Sequence, residues 1–595
     1  MSGRKQRLEL TWIGKDERPH LEPRILLEDE EKSYHAKEQV TDTDIFDNIL
    51  IHGDNLLALK ALEQEFVGQV NCIYIDPPFN TGQAFENYDD GVEHSLWLSL
   101  MRDRLGLLKS LLSDNGTIFI HIDDNEIGYL IALADEIFGR SNRRYIITFK
   151  QGSATGHKAI NPGCVNTTNF ILIYSKSPSN WVPNRIYTAV GVDRRYNQFI
   201  ENVETNFSDW KIVPIMQAFA RHQGIDEKKA RKLAKDDPET FDQWVIDTAD
   251  SVVQLVNPDY NSVGEETRKM IDLSTDEPRR IFRQERAGYP DIYLKGGKRI
   301  IFYRGKLKEI DGELISGEPL TTLWDDLLSN NLHQEGGVKF PKSKKPEALI
   351  KRCLELVTKP GDLVLDSFAG SGTTGAVAHK MGRRWIMVEL GEHAATHIVP
   401  RMKSVVDGTD ASGVTKAVNW RGGGGFRYYR LAPSLLEKDA WDNWVIAKDY
   451  YDPAKLTQAV CKLMGFIYQP DETRYWMQGR SSEADFIYVT TQSLTHEQLA
   501  AIAEEVGEER TLLVCCKAFH ANADAFPNLT IRKIPQAVLR KCEWGKDDYS
   551  LNVANLPEAP HEPDEPDDGA GPPKVGKEHG KAAPQDDLFN GEVGK

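Results

Sequence analysis

No apolar run in these 595 residues approaches the roughly 20 residues that a membrane-spanning helix needs. The opening Met1-Ser2-Gly3-Arg4-Lys5-Gln6-Arg7 has basic residues but no apolar stretch behind them, so no secretory leader is expected. Cysteine is scarce, with seven at 72, 164, 353, 461, 515, 516 and 542 and no Cys-x-x-Cys pair. That scatter argues against a zinc ribbon or a disulfide framework and for a reducing, cytoplasmic setting. Net positive charge is lacking too: 73 Lys and Arg stand against 90 Asp and Glu, a formal charge of −17. The balance looks wrong for a nucleic-acid binder, but a phosphate backbone feels only the field within a Debye length of about 8–10 Å. Local basic clusters do exist, at Arg143-Arg144, Lys228-Lys229 with Arg231-Lys232, Arg279-Arg280 with Arg283 and Arg286, and Lys342, Lys344 and Lys345. Each alone is more simply a solvated face. Their confinement to residues 140–350, away from the acidic tail, favours a contact surface there.

A chain this long should hold two to four domains. Residues 1–45 are charged and weakly periodic and read as an N-terminal arm. Then short apolar strands alternate with helical patterns: strand 48–52, a helix carrying Leu56, Leu59 and Leu62, strand 71–75, helix 94–112, strand 117–122, helix 124–138, and strands near 145–149 and 169–175. This spacing predicts a doubly wound α/β domain on a parallel sheet. From about 179 to 340 the rhythm degrades into an inserted region, with a helix near 226–235 and strands at 292–294 and 299–303. It resumes with helix 345–357, strand 363–366, helix 373–381 and strand 384–389. Gly422 to Gly425 read as a flexible joint, 435–552 as a smaller α/β domain, and 555–595, rich in Pro, Gly and acid, as a disordered tail. There is no internal repeat.

Two motifs carry chemistry. Asp76-Pro77-Pro78-Phe79 ends the apolar strand Cys72-Ile73-Tyr74-Ile75. The Asp carboxylate and a turn carbonyl can accept from a planar amino group, the ring can stack on its base, and the prolines remove competing donors. A plain Pro-rich strand end is the bland alternative. The second motif is Asp366-Ser367-Phe368-Ala369-Gly370-Ser371-Gly372-Thr373-Thr374-Gly375, a glycine loop between a strand and a helix, with Glu389 ending the next strand where a ribose-binding acid is expected. By itself this loop fits a dinucleotide as well as S-adenosyl-L-methionine. Gly53-Asp54-Asn55, at another strand end, is equally well a helix cap. His121 beside Asp123 and Asp124 mimics a ligand cluster, but strand-end solvation is the simpler reading. No metal is expected, and Cys72, inside a strand, reads as core.

The catalytic turn precedes the donor loop, with the insert between them. In this order and wording the chain resembles the circularly permuted beta-group DNA adenine-N6 methyltransferases, above all the modification (Mod) subunits of type III restriction-modification systems. The resemblance covers roughly residues 1–430. It implies a Rossmann-like methyltransferase domain split into a catalytic part (46–178) and an S-adenosyl-L-methionine-binding part (341–430). A target-recognition domain (179–340) would lie between them, with 435–552 as an interaction domain. It further implies Asp76, Pro77, Pro78 and Phe79 as catalytic, and Asn80 and Thr81 as part of the substrate pocket. The cofactor would be held by Asp54, Asp366, Phe368, Gly370, Ser371, Gly372, Thr373 and Glu389. Phe340-Pro341 through Lys345-Pro346 resembles the segment that precedes the donor loop in this family. The implied partners are double-stranded DNA, a second copy of the chain and a helicase-nuclease restriction (Res) subunit. Cytosine-N4 methylation on the same fold, and an NAD-dependent oxidoreductase using the 370–375 loop, are the rival readings.

Overall fold

The apolar runs of β1 (Asn48–His52) and β2 (Val70–Ile75) leave little polar surface for water, as strands covered on both faces require. The computed structural model describes residues 9–79, 90–153, 163–327, 332–340, 344–536, 538–539 and 541–550. Asp54 starts α1 (Asn55–Phe66) after β1. Next come β2, α2 (Asp90–Leu111), β3 (Leu112–Ile122), α3 (Ile127–Ala134), β4 (Arg143–Lys150) and β5 (Thr168–Ser175). After the insert follow α4 (Glu347–Val357), β6 (Leu363–Asp366), α5 (Thr373–Lys380), β7 (Arg384–Glu389), α6 (Val399–Val406) and β8 (Gly425–Leu431).

The main sheet runs β8-β1-β7-β6-β2-β3-β5-β4. Strands β8 through β3 are parallel to their neighbours. β5 runs antiparallel to both β3 and β4, so the sheet is mixed where the alternating pattern predicts it parallel. Parallel neighbours need a long crossover; among the described residues no helix joins β4 to β5, and the two pair head to tail. Side chains alternate across β2: Ile73 and Ile75 pack with α1, α2 and α3, while Cys72 and Tyr74 pack with α4, α5 and α6. The helices therefore cover both faces of a doubly wound sheet. β6 feeds α5 on one face and its neighbour β2 feeds α2 on the other, which opens a crevice at their carboxyl ends.

The opening segment contributes more than an arm. Leu26–Glu28 and Tyr34–His35 pair with β8, strands too short to leave a periodic signal. Gly422 to Gly425 are buried, and a Cβ at Gly425 would stand 2.6 Å from that of His35. They let segments approach closely and do not form a joint.

Within the insert a six-stranded antiparallel sheet spans 198–302, including the hairpin Ile292–Lys295 and Lys298–Phe302, with helix Glu227–Asp236 beside it. Helices Ile215–Gln223, Pro238–Asp247 and Glu265–Asp276 escaped the periodicity, the last because it buries little beyond Ile271. Leu323–Trp324 returns to the edge of the main sheet beside β4. Beyond β8, parallel strands Asp485–Val489, Thr511–Cys516 and Leu529–Lys533 form a second α/β sheet. The tail lies outside the described residues, and among them no helix is long and apolar enough to cross a membrane.

Candidate active site

β2 delivers Asp76 to the crevice, and the partners of its two carboxylate oxygens differ. Oδ2 accepts from Lys345 Nζ at 2.6 Å, whereas Oδ1 is buried without a hydrogen-bond partner among the described residues. Burial pushes the Asp76 carboxyl above the ordinary carboxylate range, and the Lys345 ammonium opposes that rise. Pro77 is buried. The Pro78 carbonyl accepts from the Trp97 indole at 3.0 Å, which anchors the turn to α2. The Phe79 ring stacks on His121, centroids 6.1 Å apart at 30°, with Lys345 Nζ 5.3 Å from its centroid. Asn80 and Thr81 lie outside the described residues.

His121 is not at a solvated strand end. It is fully buried in β3, which is flanked by β2 and β5. Its Nδ1 bonds the Tyr74 hydroxyl at 2.9 Å and its Nε2 the Asn169 amide at 3.1 Å. Burial, then the nearby Lys345, holds the imidazole well below its usual pKa, so a neutral ring supports Phe79. Among the described residues no group of three or more His, Cys, Asp or Glu is placed to hold a metal. Cys72 is buried in the core.

The glycine loop leaves β6 beside this turn. Asp366 accepts from the Phe368 N–H at 2.9 Å and the Thr374 hydroxyl at 2.5 Å, closing the loop onto the start of α5. Gly372 has φ +75°, and a Cβ there would stand 2.9 Å from Ile398 Cγ2, so only glycine fits the turn. A Cβ on Gly375 would run into Met387 of β7, which shows how closely helix and strand pack. Ser371 and Thr373 share a hydroxyl contact of 3.1 Å, and Arg401 Nη1 donates to the Ser371 carbonyl at 3.1 Å and to Thr373 Oγ1 at 2.9 Å. Phe368 packs at the edge of the core on the α1 side.

Glu389 closes the loop from β7: Oε2 accepts from the Gly370 N–H at 2.7 Å, and Oε1 from the Gly391 N–H at 3.0 Å and His393 Nε2 at 2.9 Å. Three of a carboxylate's roughly four acceptor positions are thus used. Asp54 differs. Its Oδ1 caps α1 through the Leu56 and Leu57 N–H groups at 2.9 and 3.1 Å, while Oδ2 accepts from the Tyr549 N–H at 3.0 Å beside Arg104. Fully buried, it caps the helix at the carboxyl end of β1.

Burial pushes the Asp366 carboxyl up to about 7 against the hydrogen bonds from Thr374 and Phe368, and the charges of Asp76 and Glu389 add to the rise. A carboxyl raised above its ordinary 3.8 favours the folded state below that value, and the contribution is lost as pH rises toward 7. Asp366→Asn is expected to remove this slope, so that wild type loses melting temperature relative to the variant between pH 4 and pH 7. Parallel melting curves for the two proteins across that range would defeat the assignment.

The basic clusters are largely neutralised in place. Arg231 pairs with Glu227 at 2.6 Å, Arg280 with Glu277 at 3.3 Å and Arg283 with Asp291 at 2.7 Å. Lys344 is buried against the Glu335 and Val338 carbonyls, and Lys345 serves Asp76, so neither belongs to a phosphate-facing patch. Lys342 lies outside the described residues.

A family profile described as DNA methylase matches residues 70–400. The chain is 34% identical over 439 residues to the probable type III restriction-modification enzyme HindVI Mod subunit of Haemophilus influenzae, covering 70% of this chain and 58% of that one. It is 27% identical over 429 residues to the type III EcoPI Mod subunit of Escherichia phage P1, covering 63% and 61%. Over 519 residues it is 25% identical to the type III EcoP15I Mod subunit of Escherichia coli, covering 76% of each. The chain therefore spans less than two thirds of the length of the first two relatives.

Proposed function

The chain belongs to the DNA methylase family, and from that premise we propose that it methylates N6 of adenine in duplex DNA at one short sequence, with S-adenosyl-L-methionine as donor. One observation carries the reading: Asp76 and the 366–375 loop leave adjacent parallel strands at the switch point of the sheet and face the same crevice. An acceptor for an amino group and a glycine loop suited to a small cofactor are thereby within reach of each other.

The loop residues fit the cofactor. Gly370 and Gly372 would let backbone come close to a ligand, with Ser371, Thr373 and Phe368 around them, and the buried Ser367 hydroxyl has no partner among the described residues. Asp366 would lie toward the amino-acid portion. Glu389 would accept from the ribose hydroxyls, the second of them taking the place now held by His393. When bound, S-adenosyl-L-methionine supplies an electrophilic methyl group. The chain's own part is to flip the adenine out of the duplex, at a cost of a few kcal/mol, and to aim it. Phe79 stacks on the base, while Asp76 and the Pro77 carbonyl accept from the amino N–H groups and draw the nitrogen lone pair toward the donor. Orientation and electrostatics do the rest, and Asp76 is placed to take the proton afterwards.

In this reading residues 179–340 are the target-recognition domain, in which phosphate contacts set register and base contacts set sequence. The exposed Lys228, Lys232 and Arg279 are its first candidates for phosphate. The segment 435–552 docks a partner, either a second copy or a helicase-nuclease Res subunit, in a cytoplasmic restriction-modification system.

Calorimetry with the purified protein should show binding of S-adenosyl-L-methionine and none of NAD. Single-molecule sequencing of DNA from cells expressing the chain should show N6-methyladenine at one short motif, on one strand only if the type III likeness extends to the site. N4-methylcytosine at the motif instead would reverse the base assignment, and NAD binding would reverse the class.

A further inference from the structure

Lys345 lies outside both motifs, in the segment leading to α4, yet its Nζ donates to the Asp76 carboxylate at 2.6 Å. We propose that Lys345 is a positioning residue for methyl transfer: its ammonium pins Oδ2 of Asp76 and leaves Oδ1, which has no partner among the described residues, to accept from the target amino group. The inference rests on the methyltransferase reading given above. Its ground is geometric. The Nζ–Oδ2 distance is 2.6 Å, the same Nζ lies 5.3 Å from the Phe79 centroid, and both side chains of the ion pair are largely shielded, at 15% and 18% exposure. A carboxylate free to rotate would offer the substrate either oxygen in several orientations; one held at Oδ2 offers a single direction.

The surrounding charges make the ammonium necessary. On β2, Tyr74 is neutral, its hydroxyl held well above its usual pKa by burial and then by Asp76. On β3, His121 is neutral for the reasons given above. At the end of β6, Asp366 offers no cation, and the charge of Asp76 is among the causes that raise its own carboxyl. Among the described residues Lys345 is thus the cation that faces Asp76 and favours its ionised form against burial. It also joins the two halves of the site, because the 344–346 segment precedes the donor-loop half and Asp76 ends the other half.

The test is the pH dependence of single-turnover methyl transfer by the full chain, with duplex DNA and saturating S-adenosyl-L-methionine, for wild type, Lys345→Gln and Lys345→Arg. With the cation gone, Asp76 protonates more readily. The acid limb of Lys345→Gln should then move to higher pH by about one unit, a roughly tenfold loss of rate on that limb. Lys345→Arg should return the limb toward its wild-type position, and calorimetric affinity for S-adenosyl-L-methionine should stay within about twofold in all three. Lys345→Met, which keeps the stem's volume, repeats the measurement if Lys345→Gln melts early. A limb that coincides with wild type in the Gln and Met variants, whatever the loss of rate, overturns the proposal and leaves Lys345 a merely structural contact. Absence of transfer by wild type itself would instead overturn the methyltransferase reading.

Discussion

Asp76→Ala is expected to lower the single-turnover rate of methyl transfer by roughly a thousandfold, the scale of losing a preorganised electrostatic contact to a developing charge. Cofactor affinity and fold should survive. The amino nitrogen of an adenine is a poor nucleophile because its lone pair is delocalised into the ring, and it becomes cationic as the methyl bond forms. An anionic acceptor on its N–H groups is worth most at that moment and little beforehand, so its loss falls on the rate and not on substrate binding. Stability should change little. Burial already disfavours the Asp76 carboxylate, and Lys345 keeps 15% exposure through which its ammonium can turn to water. Asp76→Asn, with one acceptor oxygen and no charge, should fall between the two. Transfer of labelled methyl to DNA, with calorimetry of S-adenosyl-L-methionine on the same preparations, reads both effects. Wild-type rates in Asp76→Ala would remove Asp76 from the mechanism, and lost cofactor binding would reassign it to the fold.

What was legible in the sequence is what local pattern encodes. The strand at 48–52 falls where predicted, those at 363–366 and 384–389 likewise, because short apolar runs bounded by Gly, Pro and Asp have few other solutions. The glycine loop was legible because its positive-φ turns at Gly370 and Gly372 favour glycine. Contacts between segments far apart in the chain were not. Nothing near Lys345 signals that it reaches Asp76, 269 residues away, and a Lys-Lys-Pro string read alone suggests a solvated face. Asp54 caps its helix as local sequence suggests, but the contact from the Tyr549 backbone, 495 residues downstream, left no local sign. The antiparallel β5 was hidden because periodicity reports burial and not direction. The buried His121 was misread because the acids beside it in sequence point elsewhere, while its true partners come from neighbouring strands.

The largest expected loss of stability comes from a group that the sequence disguises. Glu347 opens α4 directly after Pro346, where an acid is ordinary complement to the helix dipole. In the fold it is completely buried, accepting from Arg401 Nη2 at 2.8 Å, Lys380 Nζ at 2.8 Å and the Val414 N–H at 3.1 Å. Lys380 also pairs with Asp410 at 2.7 Å, and the charges of Glu335 and Lys344 act on the same cluster behind the cofactor loop. Glu347→Leu leaves Lys380 with Asp410 but removes the carboxylate paired directly with Arg401, leaving the less close Glu335 to offset a buried guanidinium, at a cost of about 3–5 kcal/mol. That is a large part of the roughly 5–15 kcal/mol that holds a typical domain together. Arg401 is also the clamp on the Ser371 carbonyl and the Thr373 hydroxyl, so whatever folded variant remains should bind S-adenosyl-L-methionine more weakly. Urea melts and calorimetry read the two losses separately. Glu347→Leu combined with Arg401→Met should recover much of the stability, since a buried pair replaced by apolar groups of similar volume is often neutral. It should not recover the cofactor affinity, because the clamp is gone. Recovery of both would place the loop's order in the surrounding packing and not in the guanidinium, whereas a single-variant loss below about 1 kcal/mol would mean that water reaches these charges after all.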